Sequence, residues 1–213
     1  MKILSLNPIG LFAALFFAAV IFAFTGRLAA SFVLLLLTFL VSGALVTRYG
    51  HERKRELTIY EYERGWENVL ANGIVPTLCA VAYAFNPAFL WAYVGSVAAI
   101  AADKFASEIG VLGGQPYALP RFNKVKFGTS GAMSLLGTLA SWDGGIIIGA
   151  AAYFLFPGVT LWGALVISAI GAAGSFVDTV VGVLEMRGIG NKATTNAICS
   201  IAGAVLGLML LGH

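Results

Sequence analysis

This sequence predicts an all-α, polytopic integral membrane bundle of about seven spanning helices with a cytoplasmic N-terminus. Three observations carry that prediction. Of the 213 residues, 59% are hydrophobic and only 11% are charged, whereas a soluble domain carries roughly 25% charged residues. The apolar residues fall into seven stretches, each close to the ~20 residues that a helix needs to cross the hydrocarbon. The basic residues are confined almost entirely to alternate connections between those stretches. Residues 1–213 read as one transmembrane domain, with 1–47 a peripheral helix pair and 64–213 the catalytic bundle.

The first stretch, Pro8–Thr25, has the charged start of a secretory signal in Lys2. It is longer than an ordinary signal core, and a second span follows after Arg27 alone, so it is read as a retained helix. Leu28–Thr47 is the second stretch. Both are smooth runs of Phe, Leu and Val, which suits a lipid-facing pair. Trp66–Phe85 and Ala88–Leu112 follow, separated by the turn pair Asn86-Pro87. Gly131–Phe156 and Thr160–Leu184 are separated by Pro157-Gly158, and Ala193–Leu211 ends the series. Such Pro- and Gly-containing pairs stop one helix and start another. Gly171, Gly174, Ser175 and Gly182, then Gly203 and Gly207, allow close helix approach in lipid. Cys79 and Cys199 lie apart in apolar segments, which predicts neither a disulfide framework nor a metal site.

The connections alternate in length and charge. The long ones carry Arg48, Arg53, Lys54, Arg55, Arg64, Arg121, Lys124, Lys126, Arg187 and Lys192, and the short ones only Arg27. Basic loops mark the cytoplasmic side, which places the N-terminus inside and the C-terminus outside. The Arg53-Lys54-Arg55 cluster then reads as solvated, touching anionic lipid. A net charge of +3 spread in this way implies a bilayer as partner and no nucleic acid. Association into a homo-oligomer is left open.

Ionisable groups inside spans are expensive and mark functional sites by default. On this topology they converge at one face. The third span starts with Arg64, Asn68 and Asn72 on one helical face. The fourth ends with Asp103, Ser107 and Glu108. The fifth starts after Gly128, Thr129 and Ser130 and continues through Ser134 and Thr138. The sixth ends with Asp178 and Glu185, and the seventh starts with Asn191, Lys192 and Asn196. Hard cations such as Mg²⁺ take one or two carboxylates together with substrate phosphates, and Asp103, Glu108, Asp178 and Glu185 offer such ligands. Phosphates are held by cations and by backbone N–H groups at helix starts, which the segment from Lys124 through Lys126 to Gly131 supplies. The plainer readings are a Lys104–Glu108 ion pair, a packing role for Asp178, and a simple helix cap at Ser130. Asp143 stands apart, in mid-span beside Trp142.

Four blocks carry a resemblance: Arg64-Gly65 with Asn68 to Gly73; Asp103 with Phe105 to Gly110; Gly128-Thr129-Ser130-Gly131 with Ser134 to Thr138; and Gly174-Ser175 with Asp178. In order and spacing the sequence resembles, from about Arg64 to its end, the transmembrane protein 19-like family, which includes the phytyl-phosphate kinases of tocopherol synthesis. The resemblance implies transfer of a phosphoryl group from CTP or another NTP to a prenyl monophosphate, with Mg²⁺. Asp103, Glu108 and Asp178 would be catalytic metal ligands, and Lys126 and Lys192, with Arg64 and Arg121, would bind phosphates. Thr129, Ser130, Asn72 and Asn196 would bind nucleotide or phosphate oxygens. The sequence departs from the family at Lys104, where Thr is usual, and at Lys192, where Asn is usually followed by Asp. A CTP-dependent lipid cytidylyltransferase and a secondary transporter are the alternative functions.

Overall fold

The computed structural model describes residues 7–59 and 66–212. Helices α1 (Pro8–Phe24), α2 (Ala29–Arg48), α4 (Trp66–Tyr83), α5 (Phe89–Gly110), α6 (Leu135–Leu155), α7 (Leu161–Glu185) and α8 (Lys192–Leu211) occupy the expected spans. Five of these segments are long and apolar enough to cross a bilayer, and Pro8–Phe24 is a shorter apolar helix. The remaining one, α4, begins with Glu67, Asn68 and Asn72 and contains Pro76, which lowers its apolar content. Side-chain caps start several of these helices: Asn7 accepts from the Gly10 N–H, Thr160 from Gly163 and Asn191 from Thr194. Each satisfies a backbone donor that the helix itself cannot.

Two of the long connections hold secondary structure of their own. His51–Glu56 forms a short helix, α3. The segment between α5 and α6 folds into a small antiparallel sheet, with β1 (Tyr117–Ala118) paired to β2 (Asn123–Lys124) and to β3 (Ala132–Met133). The pairing of β3 delays the helix expected from Gly131, so α6 starts at Leu135. The capping side chain is that of Ser134, which accepts from the Gly137 N–H at 3.1 Å, and not that of Ser130.

The centre of the bundle is α5, which packs against α2, α4, α6, α7 and α8 and is buried without a break from Ala92 to Ala102. The Tyr93 hydroxyl donates to the Phe32 carbonyl at 2.6 Å, and Phe32 also meets the Phe156 ring edge-on. Small residues bring the other helices in. Gly95 of α5 and Gly203 of α8 lie backbone to backbone, so that a Cβ on either would strike the carbonyl of the other. On the opposite side, a Cβ at Gly144 of α6 would lie 2.6 Å from the Ala101 oxygen. Lipid gives little hydrophobic drive between helices, so this intimate van der Waals contact is what holds them together.

Gly203→Val is expected to lower stability by about 3 kcal/mol, since the obstacle is backbone that cannot yield. Gly158, whose added Cβ would meet nothing within 4 Å, serves as the control, and Gly158→Ala should leave the melting temperature in detergent unchanged.

Candidate functional site

At the end of the bundle where the long connections lie, α5, α6 and α7 enclose a cavity of about 380 Å³. Toward the far end the walls close: a Cβ at Gly171 of α7 would lie 3.0 Å from both the Ala98 oxygen and the Gly145 Cα. The segment Phe127–Ser134 covers the near end. It is pinned where Gly131, in the left-handed region at φ 68°, lies on Gly182. A Cβ on Gly131 would meet the Val183 nitrogen at 2.7 Å. Ser134 ties the same cover to α5 by donating to the Gly110 carbonyl at 3.1 Å.

The charged side chains on the cavity wall are Asp103, Asp178, Glu185 and Lys192. Lys192 Nζ donates to Asp178 Oδ2 at 2.8 Å and lies 3.6 Å from Asp103 Oδ2. One ammonium thus bridges two carboxylates from different helices. Asp178 is only 7% exposed, and its second oxygen, Oδ1, is buried without a hydrogen-bond partner. Nearby on α8, the Asn196 Oδ1 is likewise buried and unpartnered. Glu185 accepts from the Ser130 hydroxyl at 2.8 Å. Three carboxylates facing one ammonium leave the cavity acidic, and its remaining polar groups include Ser107, Thr129, Thr138, Ser141, Ser175 and Thr179.

The structure therefore gathers Asp103, Asp178, Glu185, Lys192, Ser107, Gly128, Thr129, Ser130 and Ser134 around one space. It separates others from it. Glu108 is paired on a different flank of α5. Lys54 Nζ donates to it at 2.8 Å, Lys104 forms a second ion pair with it, and the Thr47 hydroxyl lies 3.0 Å away. Its oxygens are thereby engaged, and it does not line the cavity with Asp103 and Asp178. Among the described residues, no three His, Cys, Asp or Glu side chains gather at one point as a ready-made metal cage. Lys124 and Lys126 are exposed and line no cavity wall, and Arg121 lies on a separate surface recess beside Arg187. Among the described residues, the expected cationic cradle is thus reduced to Lys192, since Lys124 in β2 and Lys126 beyond it are exposed away from this space. Asn68 and Asn72 border a different groove, between α1, α2 and α4. Asn191 caps α8, and Arg64 lies outside the described residues. Asp143 is exposed on the outer surface of α6 and borders none of these spaces.

Sequence reasoning missed Lys54. It was read as solvated, yet it is 1% exposed and also donates to the Val46 and Thr47 carbonyls at 2.9 and 3.0 Å. No local pattern distinguishes it from Arg53 and Arg55, since its partners come from α2 and α5. Thr179 is not singled out by the sequence reading, and Ser175 enters it only as a small residue and in the block with Asp178, although their spacing about Asp178 places them near one face of a helix.

Comparison with known proteins places this architecture among others. The sequence model for the family described as integral membrane protein DUF92 matches residues 1–206. An uncharacterized membrane protein of Methanocaldococcus jannaschii is 39% identical over 184 residues, covering 84% of this chain and 76% of that protein. An uncharacterized membrane protein of Synechocystis is 33% identical over 148 residues, covering 65% and 57% respectively. Protein PGR of Arabidopsis thaliana is 29% identical over 206 residues, covering 81% and 68%. No solved structure matches the chain.

Two substitutions distinguish structural from site carboxylates. Glu108→Gln strands Lys54 and Lys104 beside each other and should cost about 3 kcal/mol of stability, read as a lowered melting temperature in detergent. Lys192→Met leaves Asp103 and Asp178 facing each other. Because the lysine is half-exposed, the expected loss is smaller, about 2 kcal/mol, and adding Asp178→Asn should recover part of it.

Proposed function

This chain belongs to the DUF92 family of integral membrane proteins, and from the cavity described above we propose that it is a nucleoside-triphosphate-dependent kinase. It would convert a prenyl monophosphate of the phytyl type into the diphosphate, with CTP, or failing that another NTP, as donor. The observation that carries this reading is the Asp103–Lys192–Asp178 bridge, with Asp178 Oδ1 unpartnered on the wall of an acidic, one-ended cavity. The similarity of the Asp103, Gly128–Gly131 and Asp178 blocks to the phytyl-phosphate kinases supplies the substrate class.

Phosphates entering this space meet more negative than positive charge, so they need a divalent cation as companion. The donors fit Mg²⁺, which combines one or two protein carboxylates with phosphate oxygens. Asp178, with one oxygen free of hydrogen bonds, and Asp103 would hold it. When bound, the ion neutralises charge on the donor phosphates, the main requirement of phosphoryl transfer. Lys192 brings a flexible ammonium that moves between its two carboxylates and a phosphate oxygen. The Thr129 and Ser130 hydroxyls, on the cover, are placed to donate to phosphate oxygens and to order that cover around them. The acceptor is itself an anion near neutral pH, so no strong base is required, and among the described residues no histidine lines the cavity. A cavity that closes toward the far end of the bundle suits chemistry at the membrane face, proposed to be the cytoplasmic one, better than passage through the bilayer.

A product assay tests the proposal, using purified protein in detergent with Mg²⁺, a prenyl monophosphate, and CTP or ATP. Prenyl diphosphate and the nucleoside diphosphate are expected. Pyrophosphate with a nucleotide-linked lipid would instead establish a cytidylyltransferase, and absence of turnover with every pair would remove the kinase reading. Asp103→Asn and Asp178→Asn should each reduce turnover by at least about 10²-fold while the protein stays folded and monodisperse.

A further inference from the structure

Behind α5, on the flank away from the acidic cavity, α2 and α4 scarcely touch, and α1 stands in front of the gap. The result is a groove of about 250 Å³. Its walls are apolar, formed by Leu11 and Leu15 of α1, Val33, Leu36 and Leu40 of α2, and Val69 of α4. It follows α2 from Val33 to Ala44, roughly 16 Å at 1.5 Å per residue, so it runs along the bundle axis. Leu11, Leu15 and Leu37 on its rim are exposed, which leaves the groove open to the surrounding lipid along its length.

Only its end nearest the long connections is polar. Lys104, Asn68 and Asn72 converge there. Lys104 is 6% exposed and held in place by Glu108, so its charge does not leave for solvent. Among the described residues, neither the Asn68 nor the Asn72 side-chain amide has a hydrogen-bond partner. Both residues are half-buried, so their amides stay accessible to a polar group that enters the groove. An apolar slot that parallels the lipid chains and ends in a lysine and two free amide groups matches one molecular shape: an aliphatic chain with an anionic, hydrogen-bond-accepting head.

We propose that this groove is a binding site for an anionic phospholipid drawn from the bilayer, with one acyl chain along α2 and its phosphate at Lys104, Asn68 and Asn72. The headgroup position argues for a resident lipid over a reacting one. Lys104 follows Asp103 in sequence, but their side chains leave α5 toward different spaces, so a phosphate at Lys104 has α5 between it and the Asp103–Asp178 pair. The site links α2 to α4 through a lipid, where these two helices make few contacts of their own.

Native mass spectrometry of the full-length protein, titrated with phosphatidylglycerol or phosphatidylcholine, tests this. One phosphatidylglycerol should bind at least tenfold more tightly than phosphatidylcholine. The double substitution Asn68→Ala/Asn72→Ala should abolish that preference. Gly43→Leu, at a position facing the Lys104 side chain across 3.6 Å, should reduce occupancy of both lipids. A phosphatidylglycerol with a photoreactive acyl chain should label peptides of α1, α2 and α4 in the unaltered protein, which needs no variant to fold. Equal affinity for the two lipids, wild-type binding by both folded variants, or labelling confined to α6 and α7 would each overturn the assignment. Displacement of the phospholipid by a prenyl monophosphate that is then turned over would also overturn it, making the groove the acceptor site.

Discussion

Ionic groups in a membrane-spanning bundle lose their water, and the interior must return most of that stabilisation through partners. Here α5 carries the problem twice within six residues. Asp103 is answered by Lys192, which also holds Asp178. Glu108 is answered by Lys54 and Lys104. The two clusters point to different flanks of one helix and differ in how fully they are satisfied. Glu108 has cations and a hydroxyl on both oxygens, which fits a bracket between α2, α3 and α5. The Asp103–Asp178 pair shares one half-exposed lysine and retains an orphaned oxygen. Full satisfaction of the Glu108 carboxylate makes a structural joint, and partial satisfaction of the Asp103–Asp178 pair leaves those carboxylates capacity for a ligand.

That second cluster has room because α6 and α7 part at one end and are pressed together farther along, where a Cβ at Gly145 would lie 2.5 Å from the Ser168 oxygen. Glycine-to-backbone contacts bind α5 to α6 and α8 along the rest of the bundle. Near the long connections, the chain between α5 and α6 inserts its small sheet and rests Gly131 on Gly182. The cover therefore caps the gap between α6 and α7 without filling it. Ser130 meets Glu185 and Ser134 meets Gly110 from the same short segment, so the cover is fastened to two helices at once.

The acidity of the cavity bears on the phosphate recognition proposed for this chain. Counting cations along the sequence suggests a cradle of lysines and arginines, but among the described residues the cavity has one ammonium, that of Lys192. In the proposed kinase, recognition of a phosphate there would rest on a metal ion and on hydroxyl and backbone donors. The Lys that stands where the resembled family usually has Asp occupies the bridge itself, so its charge offsets the two carboxylates that it joins.

Much was legible without coordinates. Hydrophobic length placed every long helix to within a few residues, because a bilayer sets the minimum span and Pro or Gly marks the turns. Polarity at one end of the fourth to seventh spans pointed to the cavity that Asp103, Asp178, Glu185 and Lys192 line, since charges in a span are costly, although Glu108 and Asp143 lie away from it. What only the tertiary structure decided was partnership. Asp103, Lys104 and Glu108 lie within six positions, yet the helical twist sends Asp103 to one flank and delivers Lys104 and Glu108 to the other. Lys54 resembles its solvated neighbours in every local respect and is buried because α2 and α5 present carbonyls and a carboxylate to it. Lys124 and Lys126 lie beside the cover in sequence but are exposed away from the cavity, Lys124 in the paired β2 and Lys126 just beyond it. Residue type and period are local properties and survive in a sequence. Which charges meet depends on helix rotation and loop pairing, which the folded chain settles collectively.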